Sequence, residues 1–376
     1  MGSDAGQIVA VETRVYRCAV DEPFGYSQGF ITHRESAVAR VTTADGTVGW
    51  GEAYGPADPA AAAIAALGPS LLGGNVLERV AAMRALSSRE RDAAAANGLA
   101  GARSALALAM TDAAARLLGR PLRALLGGMA DPPLRPYASA LWFRTGGDPT
   151  AHYADAVARA ADAGFTAVKA KIGLDTEEDL RAIERLQPRD GGPAIMVDAN
   201  QAYHRTAAAR VAAAMAGGGF VWLEEPFPPD RLDDYRWLRT QTGVPLAGGE
   251  SIQSVSNTLP WLDRSTVDII QPDVCLAGGI ESAMTIASVA AARGMVTAPH
   301  CYGLGIGLAA SLHWASVLTT TGSSPVWIEV DTAPHPARDR LLAGCDWFRH
   351  GGANLTVPDE PGLGVDPERI VEFRVR

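Results

Sequence analysis

A chain of 376 residues is longer than one ordinary core requires and implies two domains or one large barrel with an attachment. Its net charge of −9, from 33 basic and 42 acidic residues with no basic run, argues against a nucleic-acid or anionic-membrane surface and leaves small molecules as partners. Cys18, Cys275, Cys301 and Cys345 form no CxxC pair, and neither a leader pattern nor a run of 18 apolar residues is visible, so a soluble protein of the reducing cytoplasm is expected.

Residues 7–54 alternate with a period of two, and Ala44-Asp45-Gly46 is a hairpin signal between two apolar runs, which predicts a small antiparallel meander. From Asp58 to about Gly128 the sequence turns Ala/Leu/Arg-rich with apolar residues at helical spacing, and it stops at Gly127-Gly128. After Leu134 short β-branched runs are each followed by a helical segment.

These runs end in residues with chemistry: Lys171, Asp198, Glu224, Glu250, Asp273, His300 and Glu329, at steps of 27, 26, 26, 23, 27 and 29 residues. Each step suits one strand, one helix and two loops. With 137–141 as a first strand the count is eight. The predicted fold is α/β: a (β/α)8-type barrel with an N-terminal α+β capping domain completed by the C-terminal tail. The expected division is 1–130 for the N-terminal cap, 131–352 for the barrel, and 353–376 for a segment returning to the cap. In such a barrel the active site lies at the C-terminal strand ends, where all seven residues fall.

Taken singly, these motifs have ordinary readings as strand caps, solvated turns or the wet face of an edge strand. Three carboxylates on successive strands are different, because Asp198, Glu224 and Glu250 would repel one another in one small volume unless a cation sat between them. An all-oxygen set with open positions suits Mg2+. Glu225 would point to the opposite side of its strand or turn.

Lys169 and Lys171 are the only lysines in the chain; the other 31 basic residues are arginine. At i and i+2 they share one strand face beside the acidic arc, where a neighbouring cation and a metal would lower the Lys171 amine toward roughly 7 to 8 and make it a base. Arginine cannot lose its proton in this way. His300, with Asp273 ending the adjacent strand to fix its tautomer, would meet the substrate from the opposite face. Glu329 could donate a hydrogen bond to a substrate carboxylate if burial kept it protonated.

This ordered set resembles the enolase superfamily, and within it the mandelate racemase subgroup, over nearly the whole chain. The resemblance implies that Asp198, Glu224 and Glu250 hold Mg2+, that Lys171 in KAK is the base beside Lys169, that Asp273 and His300 form a dyad, and that Glu329 is the electrophilic carboxyl. It implies abstraction of the proton α to a carboxylate, giving an enediolate, and a cap at 1–130 that sets specificity. No lysine lies between 250 and 300, which disfavours the muconate-lactonizing and dipeptide-epimerase branch. DANQAY, AGGES, IIQPDVCLAGG and APHCYGLGIG look most similar to acid-sugar members of the galactarolactone cycloisomerase kind.

Polar groups in EPFGYSQGFITHRES lean the same way, toward a polyhydroxylated acid. Tyr26, Ser27, Gln28, Asn200 and Tyr302 are the candidate substrate contacts. The expected partner is a small-molecule carboxylate, with no nucleic acid and no membrane, and a homo-oligomer is expected. The expected reaction is β-elimination to a 3-deoxy-2-keto acid, by a dehydratase or cycloisomerase. A racemase or epimerase of a 2-hydroxy acid is the alternative. A remote one is a nucleotide-binding barrel, since GLGIG at 303–307 resembles a phosphate loop.

Overall fold

A computed structural model describes residues 5–89, 99–263, 266–318 and 325–375; within the expected cap segment, 1–4 and 90–98 lie outside the described residues. The alternating N-terminal stretch forms β1 (Ile8–Tyr26), β2 (Gly29–Thr43) and β3 (Val48–Ala53), an antiparallel meander. Its second turn falls at the anticipated Asp45, whose Oδ1 accepts from Thr43 Oγ1 at 2.6 Å and from the Thr47 amide at 3.0 Å. The helical region supplies α1 (Ala57–Leu67), α2 (Arg79–Arg89), the almost wholly buried α3 (Leu99–Leu117) and α4 (Leu122–Leu126). Gly127, at φ +75°, ends α4 in the left-handed conformation that glycine adopts without penalty.

Strands and helices then alternate: β4 (Leu134–Leu141), the short β5 (Phe143–Arg144), α5 (Tyr153–Asp162), β6 (Ala167–Lys171), α6 (Thr176–Arg185), β7 (Ala194–Asp198), α7 (Arg205–Met215) and β8 (Leu223–Glu224). They continue as α8 (Leu232–Gln241), β9 (Leu246–Gly248), α9 (Val255–Thr258), β10 (Ile269–Ile270), α10 (Ile280–Ala292), β11 (Val296–Thr297), α11 (Ile306–Ala315), β12 (Val326–Asp331) and α12 (Pro336–Leu342). The eight-stranded sheet runs β11-β10-β9-β8-β7-β6-β4-β12, and all its pairings are parallel. Among the described residues no ladder joins β12 to β11, so the barrel is near-closed rather than fully hydrogen-bonded. Later ladders are shorter than the apolar runs suggested. Pro272 has no N–H to continue β10, and the chain at Gly248-Gly249 leaves β9 before Glu250.

The period of two decides which side chains enter the barrel. On β6, Val168 and Ala170 point outward into the main core, while Ala167 joins Tyr137, Met196 and Trp222 in the barrel interior. Lys169 and Lys171 follow Ala167 on the same inner face, one layer and two layers higher.

Two further contacts place the cap over the barrel mouth. β5 pairs with β1 at Phe24 and Gly25, which draws the tip of the long β1–β2 hairpin onto the end of β4. The tail returns to the cap, where the Val375 amide donates to Val15 O of β1 at 2.8 Å and Leu363 N donates to the buried Asp112 of α3. Among the described residues no helix is long and apolar enough to cross a membrane.

The glycine loop at 303–307 does not form a phosphate cradle. Leu304 N and Gly307 N donate to the buried Glu52 carboxylate of β3 at 2.5 and 3.0 Å, so the chain's own anion occupies the position that a phosphate would need. Glu52→Ala, which leaves both amides without their acceptor, is expected to cost about 3 kcal/mol of stability. Denaturant unfolding measures this, and an unchanged midpoint would contradict it.

Candidate active site

Asp198 and Glu224 are the last residues of β7 and β8, and Glu250 follows β9 by two positions; oxygen atoms of all three lie within 4.8 Å of one another. Gly249 brings Glu250 into the group through φ +113°, and a Cβ there would meet Ile270 at 2.8 Å. Burial pushes the Glu224 and Glu250 carboxyls above their ordinary range, reinforced by neighbouring carboxylates and only partly offset by Lys169 and His300 respectively. Such a donor set, buried and all-oxygen, fits a hard divalent cation such as magnesium. Glu225 turns away as expected: its carboxylate accepts from Gln201 Nε2 at 2.7 Å and from Gly249 N.

The lysines flank this group differently from one another. Lys169 Nζ is held by Glu224 Oε1 at 2.6 Å and Glu329 Oε1 at 2.7 Å, with Asp198 at 3.6 Å. Lys171 Nζ donates to Asp198 Oδ2 at 2.6 Å and lies 4.6 Å from the centre of the Trp142 ring. The protein's own groups around Lys171 do not by themselves lower its amine, which its neighbouring cation and a metal together were expected to do. Burial and Lys169 work against the ammonium, but the touching Asp198 outweighs them and holds the amine above its usual value. Burial alone does not meet the condition on which Glu329 would donate a hydrogen bond. Burial favours its neutral form, yet Lys169 and His300 keep the carboxyl below its ordinary range and therefore ionised.

His300, three residues beyond β11, shares its Nδ1 with Asp273 Oδ2 at 2.7 Å and places Nε2 3.3 Å from Glu250 Oε2. Asp273 is itself fixed by the Cys275 amide at 2.6 Å. Burial disfavours the imidazolium, but Glu250 and the Asp273 hydrogen bond prevail and raise the ring to about 10. The sheet order sets Lys171 and His300 on either side of the three carboxylates.

Of the candidate substrate contacts, Ser27 Oγ and Gln28 Nε2 both donate to the Asn200 carbonyl, at 2.8 and 3.1 Å. Those donors fasten the hairpin tip to the barrel instead of standing free for a ligand. Asn200 adopts φ +40°, donates its amide to Asp198 Oδ1 at 2.9 Å, and leaves its buried side-chain oxygen without a partner among the described residues. Tyr26 and Tyr302 both pack on Trp142, at ring-centre distances of 6.3 and 5.9 Å.

Four site residues were missed by the sequence reading. Trp142 directly follows the predicted first strand, so the strand-end rule would have reached it one residue further along. Tyr54, after β3, sets its ring edge against His300 at 5.4 Å. Trp222 and Gln271 each donate to Glu224 Oε2 at 2.8 Å. Both precede a recognised site residue by two positions, which is the same strand face.

Known proteins are similar to this chain over nearly its whole length. The family model "Enolase C-terminal domain-like" matches residues 152–371, and "Mandelate racemase / muconate lactonizing enzyme, N-terminal domain" matches 10–127. D-galactarolactone cycloisomerase of Agrobacterium fabrum is 32% identical over 98% of this chain and 99% of its own. The crystal structure of 3,6-anhydro-D-galactonate cycloisomerase from Zobellia galactanivorans superposes with a TM-score of 0.86 at 29% identity, covering 98% of this chain and 100% of that one. A racemase from Streptomyces coelicolor A3(2), solved with bound magnesium, gives 0.81 at 25% identity, with the same coverage of both chains. With both family models matched and the acidic group, lysine pair and His–Asp pair assembled at one barrel mouth, the chain belongs to the mandelate racemase/muconate lactonizing enzyme family and is an enzyme of the enolase superfamily.

Proposed function

We propose that this enzyme removes the proton α to the carboxylate of a sugar acid or sugar-acid lactone and then expels the β-oxygen, yielding a 3-deoxy-2-keto acid. The observation that carries the proton-abstraction step is the placement of Lys171 and the His300–Asp273 pair on opposite sides of the Asp198, Glu224 and Glu250 group. In this reading those three carboxylates hold magnesium, residues 131–352 carry the chemistry, and the segment 1–130, closed by 353–376, sets specificity. The ion, when bound, would stabilise negative charge developing on the substrate carboxylate and compete with Lys171 for the Asp198 carboxylate.

Lys171 is the general base toward the α-carbon. Lys169, locked between Glu224 and Glu329, stays charged and adds a fixed positive field that favours the enediolate. His300, oriented through Nδ1 by Asp273, presents Nε2 as the acid that protonates the departing oxygen or the enol. The similarity to two enzymes named cycloisomerases supports elimination.

A racemase is the second reading, favoured by the same two-sided placement of Lys171 and His300, since inversion needs a base on each face. The test offers sugar acids and their lactones to the wild-type enzyme. A product that reacts with semicarbazide is expected; a product that is only the inverted α-epimer would establish the racemase reading instead. Exhaustive chelation should abolish turnover, and added magnesium should restore it and raise the thermal midpoint. Asp198→Asn should lose that magnesium-dependent thermal shift. Full activity after chelation would contradict the metal assignment.

A further inference from the structure

We infer that Gln201, acting with Glu225, positions Glu250 and makes the three-carboxylate site select magnesium over the larger calcium ion. The inference rests on the reading of Asp198, Glu224 and Glu250 as the magnesium ligands. The sheet holds these three unequally. Asp198 and Glu224 end their strands and face each other across the β7–β8 ladder. β9 ends at Gly248, paired with Ile270, so Glu250 stands two residues past the last ladder position and no strand partner fixes its backbone.

A side chain from the loop after β7 supplies what the sheet lacks. Gln201 lies three residues after Asp198, and its Nε2 donates to Glu225 Oε2 at 2.7 Å and to Ser251 Oγ at 3.4 Å. Glu225 directly follows Glu224, and Ser251 directly follows Glu250, so one amide touches the neighbour of each of the other two ligands. Glu225 is fully buried and completes the tie, because its Oε1 accepts from Gly249 N at 3.4 Å. A Cβ on Gly248 would lie 3.6 Å from Glu225 Cγ, so the stem of that side chain runs along the turn that leads to Glu250. The residues on both sides of Glu250 are thus joined to the Gln201–Glu225 pair.

The backbone is bent to make this junction. Among the described residues four non-glycine positions have positive φ, and three of them meet here: Asn200 at +40°, Gln201 at +70° and Glu225 at +37°. The Gln201 amide donates to Glu225 O at 2.6 Å, which brings the two turns together. Left-handed backbone is costly for a residue with a Cβ and persists where surrounding contacts over-determine it.

Ion selection follows from the stiffness of the arrangement. Magnesium demands near-ideal octahedral coordination at about 2.0 to 2.1 Å, whereas calcium accepts about six to eight oxygens at about 2.3 to 2.6 Å in flexible geometry. Three carboxylates held at fixed separations meet the first requirement. A third ligand free to turn meets only the second. His300 Nε2, 3.3 Å from Glu250 Oε2, offers that carboxylate another partner, so without the brace Glu250 is free to turn toward the imidazole.

The test titrates magnesium chloride and, separately, calcium chloride into the metal-free full chain and reads both dissociation constants by calorimetry. Gln201→Met keeps the length of the side chain and removes its donors. Expected is a weakening of magnesium binding by about 10- to 100-fold, the range for lost outer partners of metal ligands, with calcium weakened at least about fivefold less. Gln201→Glu, which sets a second carboxylate against Glu225, should lose the magnesium preference as well. Adding Glu225→Gln to it reverses donor and acceptor at the original net charge, guards against a folding defect, and should recover most of that preference. An unchanged ratio of magnesium to calcium affinity in Gln201→Met would overturn the inference, whatever happens to the thermal midpoint, because loop packing alone has no reason to favour one ion. A double variant no better than Gln201→Glu would overturn it too. Failure of the underlying metal reading looks different: the wild-type chain would then bind no magnesium, and Asp198→Asn would change nothing.

Discussion

Lys171→Arg is expected to lower turnover by about three to four orders of magnitude, the scale of a lost general base. The substitution keeps a positive charge against Asp198, now 2.6 Å from Lys171 Nζ, and keeps a long side chain under Trp142, so folding and magnesium binding should survive. What it removes is the ability to become neutral, because a guanidinium stays protonated at any working pH. Contact with Asp198 holds the amine above its usual value, so in the proposed mechanism the base is freed when that carboxylate is engaged elsewhere. Steady-state kinetics, together with a magnesium-dependent thermal shift, checks both halves of the statement. Near-wild-type turnover would show that the two lysines serve another purpose.

His300→Asn is expected to separate the two halves of the reaction. Asparagine preserves a polar group of similar reach, but it cannot shuttle a proton as the Asp273-bound imidazole does. Lys171 would still remove the α-proton, so slow exchange with deuterated solvent should continue while keto-acid formation falls about a hundredfold or more. Exchange followed by NMR and product followed by semicarbazide give the two rates on one sample. If both fall together, His300 acts before or during proton abstraction and is not confined to the acid step. If neither falls, the dyad has no part in the chemistry.

Much of the site was legible without coordinates because its layout is local and repetitive. Strand alternation is a property of the backbone, so Lys169 and Lys171 must share a face wherever β6 sits. A spacing of 23 to 29 residues carries six of the seven polar residues to the C-terminal end of a strand or just beyond it, and Glu329 to within two residues of the end of β12. The parallel order of the sheet then brings Asp198, Glu224 and Glu250 together, as their positions implied.

What only the tertiary structure decided is which of these groups spend their charge or hydrogen bonds on one another. Lys171 was expected to be lowered by Lys169 and a metal together, whereas the protein's own groups, Asp198 foremost, raise it; Glu329 was to donate a hydrogen bond only if burial kept it protonated, and Lys169 holds it below its ordinary range. Both outcomes turn on distances between residues far apart in the chain. The same holds for Ser27 and Gln28, whose donors are consumed by the carbonyl of Asn200, and for the glycine loop, whose amides are taken by Glu52 from the cap. A strand pattern reports the face on which a side chain stands, since that depends on its immediate neighbours. The strength and partner of a buried charge depend on separations that are set only when the barrel closes and β1–β3 fold over its mouth.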